Sequence, residues 1–301
     1  MKERTYAAID IGSNAVRLLI KREDPDTDRP ELMLKKQLLV RVPLRLGFDV
    51  FAKGVISDKK AENLIRLMKA YKHLIKIYEV DRLRACATSA MRDASNGEDI
   101  LKKIKEKSDI DVDIISGEEE ARIVYNNHVE RGGMDHGIYL YADVGGGSTE
   151  LNMLVNGRLI ASRSFNIGTV RLLTNAVEEK EWQNMTQFLR GLASIYSEVK
   201  IIGSGGNINK LYKMAEDKDK QTESLPVSEL QRLYDTLKPL SIEQRMDRYG
   251  LREDRADVII PAARIFLDIA SAIEAKTIIV PSIGVADGII DGLYLADRRE
   301  A

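Results

Sequence analysis

Asp143-Val144-Gly145-Gly146-Gly147-Ser148-Thr149-Glu150 repeats the chemistry of an earlier run, Asp10-Ile11-Gly12-Ser13-Asn14. Each run follows an apolar stretch, Tyr6-Ala7-Ala8-Ile9 or Ile138-Tyr139-Leu140-Tyr141-Ala142, and each leads into a second strand-like stretch. Glycines between one strand end and the next let backbone N–H groups come close enough to cradle a polyanion. The Asp at the strand end repels phosphate, so it reads as a metal ligand or as the group that positions a water. A lone Asp-x-Gly is common turn chemistry. Two copies with matching flanks point instead to two related halves and a phosphate-handling cleft between them.

The 301 residues leave room for two domains with ample cores. Lys and Arg (46) nearly balance Asp and Glu (47), so no global field recruits nucleic acid or an anionic membrane. Cys86 is the single cysteine, which excludes an intramolecular disulfide, and Leu83-Arg84-Ala85-Cys86-Ala87 reads as a strand that buries it. The opening residues lack a charged-then-apolar signal pattern, and no apolar run reaches membrane-spanning length, so a cytoplasmic location is expected.

Working outward from the first run, Arg4 to Asp10, Ala15 to Lys21 and Glu31 to Val42 read as a three-strand meander, with turn chemistry from Glu23 to Pro30. From Ser57, apolar residues at Ala61, Leu64, Leu67, Met68, Tyr71, Leu74, Ile75 and Tyr78 predict a long amphipathic helix. A strand (Leu83 to Thr88), a helix (about Gly97 to Glu106) and a strand (Val112 to Ile115) follow, which is layered α/β logic. The second half restarts at Ile138 with a hairpin turning at Asn156-Gly157. Helices are expected near Glu179 to Glu198, from Ser228, from Ser241, and unbroken from about Glu253 to Ala275. Between them, the strand Lys200 to Ile202 runs into Gly203-Ser204-Gly205-Gly206-Asn207 and a helix, a candidate anion or nucleotide contact. Glu216 to Glu223 is a charged loop, and the chain closes with a strand (Thr277 to Val280), a loop and a last helix.

The order of these pieces resembles the exopolyphosphatase and guanosine pentaphosphate phosphatase family, within the actin, hexokinase and Hsp70 superfamily. The residues that carry the resemblance are Asp10 through Asn14 with Arg17, Ala87-Thr88-Ser89-Ala90-Met91-Arg92-Asp93-Ala94, Ser116-Gly117-Glu118-Glu119-Glu120-Ala121-Arg122, and Asp143 through Glu150. Gly168-Thr169-Val170-Arg171 and Gly203-Ser204-Gly205-Gly206 also fit. The resemblance implies an α/β fold of two actin-like (ribonuclease H-like) domains: residues 1–120, with a C-terminal helix of about 288–301 packing back on them, and residues 121–287. Ala15 stands where the family usually has a hydroxyl residue, and Pro261-Ala262-Ala263 replaces the usual Pro-Gly-Ala. The match stops near residue 301, as in short members that lack a helical C-terminal extension.

The implied activity is Mg²⁺- or Mn²⁺-dependent hydrolysis of the terminal phosphoanhydride of inorganic polyphosphate. Guanosine pentaphosphate is the alternative substrate, and a sugar or acetate kinase or an actin- or Hsp70-like ATPase switch are the competing classes. A homodimer is left open. Such hydrolysis needs an oriented in-line water and charge stabilisation on the transferring phosphoryl. Family analogy and chemistry choose Glu120 for the water, although Ser116 and Glu119 also form a capping box and acids suit a first helical turn. Residues on a helix point about 100° apart, so only one of Glu118, Glu119 and Glu120 faces a given spot. Asp143 and Glu150 are the metal candidates, with Asp10 joining them or ordering a metal-bound water; for Glu150 the alternative is an exposed strand residue. Arg17 and Arg92 are proposed phosphate clamps, with a solvent-facing strand position as the alternative for Arg17. Gly12, Ser13, Asn14, Ser89, Gly145, Gly146, Gly147, Ser148 and Thr149 supply donors to phosphate, and Arg171, Gly203, Gly205 and Gly206 a nucleotide or distal phosphate. His73, His128 and His136 show no metal-ligand spacing, and the lysines of 102–107 read as a solvated helix face.

Overall fold

The computed structural model describes residues 3–24, 33–129, 136–281 and 284–300. These residues pack as two units, one of Met1–Met134 with Val285–Ala301 and the other of Asp135–Gly284. In the first unit β1 (Thr5–Ile11), β2 (Val16–Glu23) and β3 (Leu34–Val42) form the expected antiparallel meander. There follow α1 (Leu46–Lys53), α2 (Asp58–Ile77), β4 (Arg82–Ala87), α3 (Ser89–Asp93), α4 (Gly97–Ser108), β5 (Asp113–Ile114) and α5 (Gly117–Val129). The second unit restarts with β6 (Ile138–Val144), β7 (Thr149–Val155), β8 (Arg158–Phe165), α6 (Thr169–Leu173), α7 (Glu179–Ile195), β9 (Lys200–Ser204) and α8 (Gly206–Met214). It continues with β10 (Ser224–Pro226), α9 (Val227–Leu237), α10 (Ile242–Tyr249), α11 (Glu253–Ala256), α12 (Ile259–Ala272) and β11 (Thr277–Ile279), before α13 (Val285–Glu300) returns to the first unit.

The sheets follow one plan. The first runs β3-β2-β1-β4-β5, and the second runs β8-β7-β6-β9-β11 with β10 added at its edge. In each, the opening strand pairs antiparallel with the next strand on one side and parallel with a later strand on the other. An opening strand in the sheet interior is covered on both faces, which is why Tyr6-Ala7-Ala8-Ile9 is a continuous apolar run rather than an alternating one. Leu64, Met68 and Tyr71 of α2 close one core over β1 and β2, and Ile259, Ala263, Phe266 and Ile269 of α12 help to close the other. Each leucine, isoleucine, methionine or phenylalanine among them contributes on the order of 1.5 to 3 kcal/mol on burial.

Two expected boundaries shift for physical reasons. The helix expected from Glu253 to Ala275 divides into α11 and α12, because Pro261 lacks an N–H and its ring collides with the carbonyl four residues earlier; it is tolerated only in the first turn of α12. The sequence reading places the boundary near residues 117 to 137 and divides the chain at 120/121; the two units divide at 134/135, with α5 in the first and packed on α13. The Asn156-Gly157 turn has φ of 49° and 72°, both in the left-handed region that a two-residue hairpin loop requires. Among the described residues no helix is long and apolar enough to cross a membrane.

Candidate active site

In the second unit, strand register does most of the assembly. Asp143 lies opposite Glu150 on β7 and beside Ser204 on β9, while Glu150 lies opposite Ser164 on β8. Directly opposed residues share a face of the sheet, so Ser204, Asp143, Glu150 and Ser164 form one polar row. Asp143 and Glu150 are 6% and 1% exposed, and their carboxylate oxygens approach within 4.8 Å. The alternative of an exposed strand position for Glu150 therefore fails. Ser164 Oγ donates to Glu150 Oε1 at 2.9 Å, fixing that carboxylate from the next strand. Two adjacent buried carboxylates repel one another, and such hard oxygen donors could hold a metal ion.

The triple-glycine loop is shaped by α6. Gly145 N–H donates to the Ser148 carbonyl, closing the turn. The N–H of Thr169 then donates to the Gly145 carbonyl at 3.0 Å, and those of Val170 and Arg171 to the Gly146 carbonyl at 2.8 and 3.1 Å. Arg171 Nε donates to the Gly147 carbonyl at 2.8 Å. In a trans peptide the C=O and the following N–H point in opposite directions. Taking three carbonyls into α6 and Arg171 therefore turns the N–H groups of Gly146, Gly147 and Ser148 the other way, as an anion cradle requires. The Thr149 hydroxyl donates to the Ile167 carbonyl at 2.6 Å. Arg171, expected at a nucleotide or distal phosphate, braces the loop through its bond to the Gly147 carbonyl.

The later glycines divide by role. A Cβ on Gly203 would meet Ile278 Cγ2 at 2.9 Å, so this glycine answers to core packing. Gly205 has φ of 111°, and its missing Cβ would lie 2.9 Å from the Val144 carbonyl and 3.4 Å from Asp143 Oδ1. It brings the backbone past the end of β6, beside the acid. Gly206 opens α8 beneath the guanidinium of Arg255, which donates to its carbonyl.

The first unit carries the matching loop with the opposite charge balance. Asp10, 3% exposed, lies opposite Arg17 in register and is ion-paired with it. Arg17, expected at a phosphate or facing solvent, is thus turned to Asp10, and Asp10 has a cation within its own hairpin. The loop after Asp10 is fastened by Gly12 N–H to the Ala15 carbonyl, Gly47 N–H to the Ser13 carbonyl and Arg45 N–H to the Asn14 carbonyl, at 3.1, 2.8 and 3.0 Å. Ser13 Oγ and Ser89 Oγ are 2.9 Å apart, which joins this loop to the start of α3. Arg92, expected as a phosphate clamp, donates Nη1 to the Ile115 carbonyl at 2.8 Å. Ser116 Oγ accepts from Glu119 N–H at 3.1 Å, which is the serine half of the expected capping box. Glu119 turns outward to Arg84 at 2.6 Å, while Glu120 is 7% exposed. The 100° rule holds: neighbours on one turn face different surroundings.

Arg84, Ser164 and Arg255 carry contacts here that sequence reasoning missed. Nothing local marks them; only register places Ser164 beside Glu150, and Arg255 reaches Gly206 from 49 residues away.

Two copies of one strand order, each with a glycine loop closing its first hairpin, define a protein of two α/β domains built on one plan. The sequence profile of the Ppx/GppA phosphatase family matches residues 35–296, and the chain belongs to that family. The Aquifex aeolicus member of the Ppx/GppA family shares 28% identity with a TM-score of 0.76, over 98% of this chain and 99% of that one. An exopolyphosphatase from Cytophaga hutchinsonii superposes with a TM-score of 0.81 at 22% identity, covering 96% and 98% of the two chains, which speaks for the fold. A bifunctional 3-dehydroquinate synthase/phosphatase of Fusobacterium nucleatum is 31% identical over 172 residues; the match takes in 55% of this chain and only 25% of that protein.

Proposed function

We propose that this chain hydrolyses the terminal phosphoanhydride of inorganic polyphosphate with the help of Mg²⁺ or Mn²⁺, releasing orthophosphate. The observation that carries the reading is the buried pair Asp143 and Glu150 at the end of a triple-glycine loop. Carboxylates and a phosphate cradle belong side by side only where a cation reconciles them. That cation, held by Asp143 and Glu150, would supply charge neutralisation on the phosphoryl oxygens. The loop N–H groups of Gly146, Gly147 and Ser148 and the donors around Gly12, Ser13, Asn14 and Ser89 bind the remaining oxygens. Glu120 orients the attacking water and accepts its proton at the side-chain carboxylate, so that attack opposes the leaving anhydride oxygen. Arg171 keeps the cradle in shape through the Gly147 carbonyl.

Guanosine pentaphosphate ends in the same kind of anhydride, so the same groups would act on it. The test is orthophosphate release from polyphosphate, guanosine pentaphosphate and ATP, with Mg²⁺, with Mn²⁺ and with excess EDTA. Release from polyphosphate that EDTA abolishes is the expected result. No release from any of the three substrates with either metal overturns the reading.

A further inference from the structure

The connection from β5 into α5 is held by two arginines from outside it. Ile115 N–H donates to the Ala87 carbonyl at 3.0 Å, and Arg92 Nη1 takes the Ile115 carbonyl at 2.8 Å, so the chain entering α5 is fixed at one point. Ser116 caps the first turn, which settles where the helix begins, and α13 packs against α5. A further attachment, at the first turn of α5, comes from Arg84 on β4. Its Nη2 is 2.6 Å from Glu119 Oε1 and its Nε is 3.7 Å from Asp113 Oδ2, so one guanidinium spans the connection and grips the helix beyond it. With Glu119 pinned outward, Glu120 is committed to its buried direction.

From this geometry we propose that Arg84 is a positioning residue for Glu120, acting through Glu119. The inference rests on the reading of Glu120 given above. Arg84 and Glu119 have side chains 34% and 45% exposed, and an ion pair that open to water contributes no more than about 1 kcal/mol to stability. Its leverage is angular. A carboxylate sits several Å from the helix axis, so rotating α5 by roughly 15° carries it on the order of 1 Å, and a displacement of about 1 Å can cost up to about a hundredfold in rate.

The experiment measures kcat and KM for phosphate release in Arg84→Ala, Arg84→Lys, Glu119→Ala and the double variant Arg84→Ala with Glu119→Ala, alongside Glu120→Gln. Arg82→Ala is the control, because Arg82 pairs with Asp297 of α13 at 2.7 Å from two residues earlier on the same strand. Arg84→Ala and Glu119→Ala should each lower kcat about tenfold with KM within about twofold. The double variant should be no worse than either single one, since both remove the same contact. Arg84→Lys should recover most of the rate, and Arg82→Ala should alter the melting temperature rather than kcat. A kcat unchanged by Arg84→Ala while Glu120→Gln is inactive overturns the positioning role alone, as does a loss that Arg84→Lys does not relieve. Full activity of Glu120→Gln removes the reading of Glu120 and this inference with it.

Discussion

Asp10 and Asp143 end the first strand of two copies of one hairpin, yet Asp10 faces Arg17 across the ladder and Asp143 faces Glu150. One hairpin is neutralised from within; the other brings two carboxylates together as part of a cluster that could hold a metal ion. Asp143→Asn should therefore raise the Mg²⁺ concentration for half-maximal rate far more than it changes substrate affinity at saturating metal, as a metal titration of turnover would show. An unchanged metal requirement would remove Asp143 from the metal site. Glu120 is tested differently. Glu120→Gln keeps the shape of the side chain but takes no proton, so turnover should fall by about 10² to 10⁴ while substrate still binds. Turnover and binding measured separately decide this, and a variant retaining more than about a third of the rate returns the role to Glu118 or Glu119.

The triple-glycine loop owes its form to the turn before α6. A Cβ on Gly168 would lie 2.4 Å from the Gly146 carbonyl oxygen and 2.4 Å from the Gly147 carbonyl carbon, both backbone atoms that cannot swing aside. Gly168→Ala should destabilise the protein by about 1 to 3 kcal/mol and weaken phosphate binding at the same time, because the displaced atoms form the cradle. Chemical denaturation and KM for substrate would show both. At the start of α9 a different device is at work. Glu229, buried, receives two hydrogen bonds from Arg232 at 2.7 and 2.8 Å and one from Glu216 N–H at 2.8 Å. The Arg232 hydrogen bonds, with the backbone one, outweigh burial and hold its carboxyl down from 4.5 to about 2. A depressed carboxyl stabilises the fold above its unfolded value and loses that contribution as pH falls from 4.5 towards about 2. With Arg232 half exposed, the stability gap between wild type and Glu229→Gln should be about 1 to 2 kcal/mol at pH 7 and shrink by about pH 3, as urea unfolding at the two pH values would show.

Across the chain, 46 basic residues meet 47 acidic ones, a formal net charge of −1. A long polyanion is retained between cuts only along an extended positive track, and a balanced surface offers little general attraction. The arginines expected to clamp phosphate are engaged within the fold, Arg17 with Asp10, Arg92 with Ile115 and Arg171 with Gly147. We therefore expect short polyphosphates to be preferred and product to leave between cuts. A gel of long polyphosphate at partial digestion should show a smear moving downward. Full-length substrate coexisting only with end products would reveal a basic track that the charge balance hides. Residual activity on long chains should fall with added salt, since exposed charge contacts are screened within about 10 Å at 0.1 M.

The strands around both glycine loops, the α2 stripe, the Asn156-Gly157 turn and the burial of Cys86 were legible in the sequence, because each follows from local periodicity or from a residue whose backbone freedom is distinctive. That Glu118, Glu119 and Glu120 face different surroundings was legible too, since it needs only the helical angle. The short helices α1, α3 and α6 were not, since five to eight residues carry too little pattern to separate a helix from a turn. Composition and spacing determined that two carboxylates and two glycine loops exist in this protein. Tertiary structure alone decided their surroundings: it set Arg17 against one Asp and Glu150 against the other, buried Glu150, laid Ser164 beside it and turned the loop carbonyls into α6. Those are properties of strand register and of contacts formed as the chain folds, and composition and spacing alone do not state them.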